Sequence, residues 1–256
     1  MSLLDQVTPA PVRSGRNWLI ADSFQWYIDP HLWSDTLDVG DSTMTIQSSG
    51  MGGLKALATT ANEEATLTTT NKIFTFGAGT TANPADADSG WFEVKARIDR
   101  GSGTSGVFVG LTDDLTDQIA DTTGLAQGTF DGFGFVLEPT LAYFKLIYSN
   151  STTQTTITPT ATGTAGVSAA AINAALFTDA GSVTLRGEYQ VNADRATVDI
   201  KWFINGVFIW TANVTITSLG PCYFSAGLKA LGSTDEILYI DLVTLGGHRG
   251  SGNAGT

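Results

Sequence analysis

Apolar and polar residues alternate along most of this chain, which is the pattern of β-strands buried on one face only. The alternation is clearest at 92–98, 183–191 and 198–204. Shorter apolar runs bounded by Gly, Thr and Asn bring the prediction to about thirteen strands. The remaining runs lie at 18–28, 44–47, 55–59, 65–69, 72–76, 107–111, 133–137, 143–148, 207–210, 222–230 and 236–245.

Three segments depart from this pattern. Residues 111–124 favour one short helical turn with Thr112 as the N-cap, because acidic residues follow it where a helix dipole favours negative charge. The alanine-rich segment 168–177 favours a second brief helix. The Thr-rich stretch 149–164 is compatible with either a long loop or an edge strand.

Asn205-Gly206 joins two of the strands directly. Both residue types tolerate positive φ, which a two-residue type I′ hairpin turn requires. Such a turn sets a register in which Ile204, Phe203, Trp202 and Lys201 pair with Val207, Phe208, Ile209 and Trp210 in that order. One face of the hairpin then carries Ile200, Trp202, Ile204, Val207 and Ile209.

The same register leaves Phe203, Phe208 and Trp210 on the other face of the hairpin, beside Lys201. A strand pair that is apolar on both faces needs a second layer, a partner chain or a ligand over its second face. Coverage by the protein's own loops or second sheet is one alternative. We therefore predict Phe203, Phe208 and Trp210 as candidate interface or ligand residues.

Length and composition favour one large domain. The 256 residues include 29 Gly and only 15% charged residues, which suits many strands joined by tight turns. Pro9 and Pro11 disfavour regular structure near the start. We predict an N-terminal arm at 1–17, a β-sandwich at 18–246 and a Gly-rich tail at 247–256.

Charge and cysteine content exclude several classes of function. A net charge of −12 with 13 scattered basic residues argues against a nucleic-acid partner. The single Cys222 lies in an apolar run, which indicates a buried, inert thiol and excludes an intrachain disulfide. We see neither a secretory signal nor a membrane span, so we expect no membrane partner and synthesis in the cytoplasm.

The order of elements in the last quarter of the chain resembles the C-terminal half of concanavalin-A-like (laminin G-like) jelly rolls. The matching elements are a strand leading into an Asn-Gly hairpin, a Gly-bearing strand at 222–230, and a final strand containing Ile240-Asp241-Leu242-Val243. The resemblance covers 182–245 in pattern and 18–246 in layout. It implies an all-β, concanavalin-A-like jelly-roll β-sandwich with one or two short helices.

Jelly rolls of this kind include glucanases, lectins and structural modules. The glucanases carry Glu-x-Asp-x-x-Glu on one strand, but here Glu236 and Asp241 are predicted to point to opposite faces. The acidic turn at Asp113, Asp114 and Asp117 lacks the spacing of a calcium loop. Neither histidine has a neighbouring catalytic or metal-binding partner in sequence. We therefore expect no enzyme activity, no cofactor and no metal.

A large acidic jelly roll with an N-terminal arm and few catalytic groups resembles virion structural proteins of tailed bacteriophages. This resemblance implies a capsid decoration or cement protein, located in the virion, that self-associates as a trimer or other symmetric oligomer. Its partner would be a major capsid protein or another virion protein. The alternative is a lectin-like module that binds a glycan through an aromatic platform, with Trp33, Trp91 and Trp210 as the candidates.

Overall fold

The computed structural model describes residues 17–25, 28–37, 42–47, 53–76, 89–100, 105–115, 119, 130–138, 144–150, 153–158, 182–192, 194, 196–215, 220–232 and 235–248. These residues form fifteen β-strands. The strands are β1 (Asn17–Asp22), β2 (Trp33–Leu37), β3 (Thr43–Ile46), β4 (Leu54–Ala58), β5 (Glu64–Thr69), β6 (Ser89–Arg100), β7 (Ser105–Thr112), β8 (Asp131–Leu137), β9 (Phe144–Asn150), β10 (Gln154–Ile157), β11 (Val183–Val191), β12 (Thr197–Ile204), β13 (Val207–Thr215), β14 (Tyr223–Ala230) and β15 (Glu236–His248).

The strands form two antiparallel sheets, which confirms the predicted all-β sandwich. Sheet I has eight strands in the order β13-β12-β11-β6-β15-β4-β3, and β1 pairs with the second half of β15. Sheet II has seven strands in the order β10-β9-β8-β7-β14-β5-β2. Strands distant in sequence, such as β6 and β15, are therefore neighbours, which is the jelly-roll arrangement.

The main core fills the space between the two sheets. In β11 and β12 buried and less buried residues alternate along the strand, as the sequence pattern predicts. Trp202 of sheet I joins the two layers, because its indole N–H donates to the carbonyl oxygen of Gly134 in sheet II at 3.0 Å. Its ring meets Phe133 edge-on with a centroid distance of 5.8 Å.

Sheet II is covered on its outer face as well. All residues of β7 and β8 are buried, so these strands do not follow the half-buried pattern. Phe108, Val136 and Ile147 pack there with Ile119 and Phe130 in a small second cluster. The outer face of sheet I is different, since every second residue of β6 and β12 reaches solvent in whole or in part. Sheet I therefore provides the open face of the sandwich.

The hairpin turn is as predicted, but the register beyond it is not. Asn205 and Gly206 have φ of 51° and 76°, the positive values of a type I′ turn. Phe203 pairs with Phe208 as expected, and then a β-bulge at Ile209 shifts the register so that Trp202 faces Trp210. The predicted pairs Trp202–Ile209 and Lys201–Trp210 are wrong, because a bulge adds one unpaired residue to one strand.

Three other sequence predictions have structural outcomes, and one strand was not predicted. The segment 72–76 is not a strand, since only Phe74 forms an isolated bridge, with Cys222. Strand β2 is an element that the sequence pattern did not indicate. The Thr-rich stretch contains an edge strand, β10, paired with β9. Thr112 ends β7, and its hydroxyl accepts a hydrogen bond from the backbone N–H of Asp114.

The remaining predictions concern residues outside those described. They include the arm at 1–16, the second helix at 168–177, most of the first predicted helix, and residues 249–256 of the tail. Asn17 begins β1, and Gly247 and His248 continue β15, where His248 pairs with Asn17.

Candidate functional site

The three residues singled out in the hairpin do not all lie on one face. Phe203 and Phe208 do share the outer face of sheet I, with ring centroids 5.7 Å apart at an interplanar angle of 65°. Phe208 is 38% exposed, one of the most exposed large apolar side chains in the described part of the chain. Trp210 is half-buried and packs against the main core, because the bulge at Ile209 turns it to the inner face. The prediction for the face of Trp210 is therefore wrong.

The tryptophans proposed as a sugar platform are also separated. Trp33 is buried at 2% exposure, and its indole N–H donates to a carboxylate oxygen of Asp22 at 2.8 Å. A buried ring with its polar atom already paired offers no platform. Of the three candidates, only Trp91 lies on the outer face of sheet I, where it is half-buried.

Strand register places Trp91 and the phenylalanine pair on the same face of sheet I, with β11 between them. Phe208, Phe203, Arg186 and Glu93 are successive cross-strand neighbours on β13, β12, β11 and β6. Trp91 and Glu188 face each other in the adjacent row. We call this set of residues the outer strip: Trp91, Glu93, Arg186, Glu188, Phe203 and Phe208.

Arg186 contacts the two carboxylates and the tryptophan of the outer strip. Its Nε donates to Oε1 of Glu188 at 2.7 Å, and its Nη1 to Oε2 of Glu93 at 3.4 Å. Its guanidinium carbon lies 4.6 Å from the ring centroid of Trp91, within the range of a cation–π contact. The three charged side chains are about one-third exposed, at 33%, 34% and 31% for Arg186, Glu93 and Glu188.

Glycine in β15 makes room for the tryptophan. A Cβ atom added to Gly246 would lie 2.6 Å from the Trp91 ring, closer than real Cβ atoms approach. The indole therefore lies against the backbone of β15, and Arg186 contacts its ring. Stacking on a ligand is then left mainly to Phe208 and Phe203.

The outer strip combines apolar ring surface with polar groups in fixed positions. A carboxylate has about four acceptor positions, so Glu93 and Glu188 can accept further hydrogen bonds beside those from Arg186. Lys201 is the cross-strand neighbour of Glu188, so positive and negative charges in this region balance. The arrangement suits a ligand that has both apolar faces and hydroxyl groups.

The sequence also singled out Glu236, Asp241 and the acidic turn at Asp113, Asp114 and Asp117. Glu236 is fully buried on the core side of β15, whereas Asp241 is the unpaired, half-buried residue at a bulge of that strand. No group of three or more His, Cys, Asp or Glu residues that could hold a metal occurs in the described ranges. Asp113 accepts a hydrogen bond from the backbone N–H of Asp131, and Asp117 lies outside those ranges.

No helix within the described ranges is long and apolar enough to cross a membrane.

Cys222 is buried, as the sequence predicts. Its thiol has no exposed surface and lies 3.2 Å from the carbonyl oxygen of Asp131, to which it donates. Desolvation by burial, and then the nearby charges of Asp113 and Asp131, raise the pKa of this thiol well above its usual range. The thiolate, which is the reactive form, is therefore disfavoured.

The outer strip was only partly visible in the sequence. Arg186 and Glu188, like Trp91 and Glu93, are two residues apart, which places each pair on one face of its strand. The contact between β11 and β6 joins residues 93 positions apart, and no local pattern indicates it.

Comparisons with known proteins find similarity in structure alone. No protein family model and no curated protein sequence matches this chain. The carbohydrate recognition domain of Emp47p is similar with a TM-score of 0.55 and 13% identity, covering 91% of this chain and 95% of that one. A β-glucanase of Bacillus licheniformis is similar with a TM-score of 0.53 and 13% identity, covering 89% of this chain and 97% of that one. The exoplasmic/lumenal domain of VIP36, in a form bound to Ca²⁺ and Man3GlcNAc, is similar with a TM-score of 0.50 and 13% identity. The similarity covers 84% of this chain and 83% of that one. The chain therefore shares the concanavalin-A-like β-sandwich fold of these structures.

Proposed function

We propose that this chain is a non-catalytic, lectin-like module that binds a carbohydrate on the outer strip. The observation that carries the proposal is the position of the exposed Phe208 and the half-buried Phe203 in one cross-strand row with Arg186 and Glu93 on the open face of sheet I. Sugar rings have apolar C–H faces that stack on aromatic side chains, and their hydroxyl groups exchange hydrogen bonds with Arg and Glu. The carbohydrate recognition domains among the structural neighbours support a binding role for such a sandwich.

A glycan array followed by calorimetry tests this proposal. Phe208→Ala removes a stacking surface and is expected to weaken binding roughly 2- to 10-fold. Arg186→Gln breaks the two ion pairs and is expected to weaken binding more. Leu37→Ala is the matched control, because Leu37 is 40% exposed on the edge of the other sheet. Absence of binding to any glycan, or binding that neither strip variant changes, would contradict the proposal.

A second candidate is a virion structural role, as a capsid decoration protein that contacts a major capsid protein and itself. The observation in its favour is the exposure of Val207 and Phe208, at 44% and 38%, at the edge of sheet I. Burying Phe208 at an interface would contribute on the order of 1.5 to 3 kcal/mol. Electron microscopy of particles that purify with this chain tests the role, and a chain that co-purifies with no particle and adds nothing to capsid stability counts against it.

A further inference from the structure

The open face of sheet I has a second exposed apolar residue, on β1. Leu19 is 45% exposed, and it lies on the outer face because Trp18 and Ile20 on either side of it pack against the main core. Leu19 and Phe208 are two of the four large apolar side chains that are exposed in the described part of the chain. They lie on β1 and β13, the strands at opposite edges of this part of sheet I.

Strand register connects Leu19 to the outer strip. Leu19 pairs with Gly246 of β15, and Gly246 pairs with Trp91 of β6. Because Gly246 has no side chain and the indole of Trp91 lies over its backbone, no side chain of β15 separates the indole from Leu19 in this row. The face therefore has two apolar ends, which we call the β1 end (Leu19 and Trp91) and the β13 end (Phe203 and Phe208).

Polar side chains lie between the two ends. Arg186 already forms ion pairs with Glu93 and Glu188, and Lys201 is the cross-strand neighbour of Glu188. Two positive and two negative side chains leave this middle part without net charge. It offers hydrogen-bond donors and acceptors to a ligand, whereas the net charge of −12 of the whole chain repels an anionic one.

The distance between the two ends sets a minimum length for a ligand that contacts both. Strands β1, β15, β6, β11, β12 and β13 are successive neighbours, so Leu19 and Phe208 are about five strand spacings, or about 24 Å, apart. In an extended polysaccharide each sugar ring advances by about one strand spacing of roughly 4.8 Å. A chain of about five sugars laid across the strands therefore reaches from one end to the other, and a disaccharide does not.

We infer that this face binds the interior of an extended, uncharged polysaccharide, which lies across the strands and contacts both apolar ends at once. The inference rests on the proposed function and adds the class of ligand to it. Sugar rings stack on the apolar side chains at each end, and hydroxyl groups in the middle exchange hydrogen bonds with Arg186 and Glu93. Leu19 is the specificity-determining residue, because a sugar bound at the β13 end contacts it only through a chain that spans the face.

Calorimetry with the full chain and oligosaccharides of graded length tests the inference. The probes are the disaccharides, tetrasaccharides and hexasaccharides of the cello-, xylo- and manno-oligosaccharide series. In the series that binds, the hexasaccharide is expected to bind on the order of 10-fold or more tighter than the disaccharide, because binding at one end raises the effective concentration of the chain at the other. A galacturonate hexasaccharide is expected to bind on the order of 10-fold more weakly than the neutral one.

Single substitutions at the two ends test whether one ligand contacts both. Leu19→Ala and Phe208→Ala are each expected to weaken binding of the neutral hexasaccharide roughly 2- to 10-fold. A disaccharide occupies one end only, so at most one of the two variants is expected to change its affinity. Leu37→Ala is the matched control, because it makes the same change at 40% exposure on an edge strand of sheet II.

The outcomes separate this inference from the proposed function. Equal affinity for disaccharide and hexasaccharide, an unchanged hexasaccharide affinity in Leu19→Ala, an equal loss in Leu37→Ala, or tighter binding of the galacturonate chain would overturn the inference and leave glycan binding in place. Absence of binding to all of the neutral oligosaccharides would also overturn it. The proposed function itself is contradicted only if no glycan on the whole array binds.

Discussion

Replacing Trp202 with phenylalanine tests the contact that we identify as a main link between the two sheets. Trp202 has no exposed surface, and its indole N–H donates to Gly134 of sheet II. Phenylalanine keeps an aromatic ring against Phe133 but removes the donor and part of the ring volume. The carbonyl oxygen of Gly134 then stays buried without this bond.

The expected loss of stability has two parts. Losing the inter-sheet hydrogen bond costs about 0.5–1.5 kcal/mol, because Gly134 lies in the ladder between β7 and β9 and its carbonyl oxygen keeps a main-chain partner. The smaller ring leaves a cavity, and partial collapse around such cavities costs about 1–2 kcal/mol more. We therefore expect Trp202→Phe to lower the free energy of unfolding by about 2–3 kcal/mol, a large fraction of the 5–15 kcal/mol typical of whole domains.

Guanidinium unfolding followed by fluorescence and circular dichroism measures this loss. Trp210→Phe is the matched control, because Trp210 faces Trp202 across the hairpin and is half-buried at the edge of the sheet. The same chemical change there is expected to cost about 1 kcal/mol or less. Equal losses for the two variants, or a loss below about 1 kcal/mol for Trp202→Phe, would refute the role of the inter-sheet hydrogen bond.

Three further predictions follow from local geometry. Gly134→Ala places a Cβ 2.5 Å from the carbonyl oxygen of Val109, so we expect a loss of about 2 kcal/mol or more in thermal and chemical unfolding. The Cys222 thiol is expected to resist a thiol reagent at pH 8 in the native protein and to react in denaturant, because burial raises its pKa. Hydrogen bonds from the backbone N–H of Ala196, and then of Thr197, lower the pKa of Asp194 from its usual 3.8. The stabilisation that this carboxylate provides is therefore present above pH 3.8 and lost as the pH falls through the lower pKa of the folded state. We expect Asp194→Asn to remove this pH dependence when the free energy of unfolding is measured in an acid titration.

The sequence alone predicted the structure correctly where interactions between residues close together in the chain determine it. The period-2 pattern of β11 and β12 fixes which residues enter the core, and Asn205-Gly206 fixes the turn through its positive φ angles. Cys222 was correctly predicted to be buried because it begins an apolar run with Tyr223 and Phe224. Strand β2 was missed because only Trp33 among its residues is fully buried, so it carries no alternating pattern.

The tertiary structure decided which side chains meet on the surface. A bulge at Ile209 moved Trp210 to the inner face, and bulges depend on strand twist and packing, which no hydrophobic pattern records. Arg186 reached Glu93 and Trp91 because β11 pairs with β6 across 93 positions of sequence. The sequence by itself thus determined the fold class, one hairpin and its core face. The position of the aromatic and charged groups that form the outer strip required the long-range strand order, because that order is set by packing of the whole sandwich.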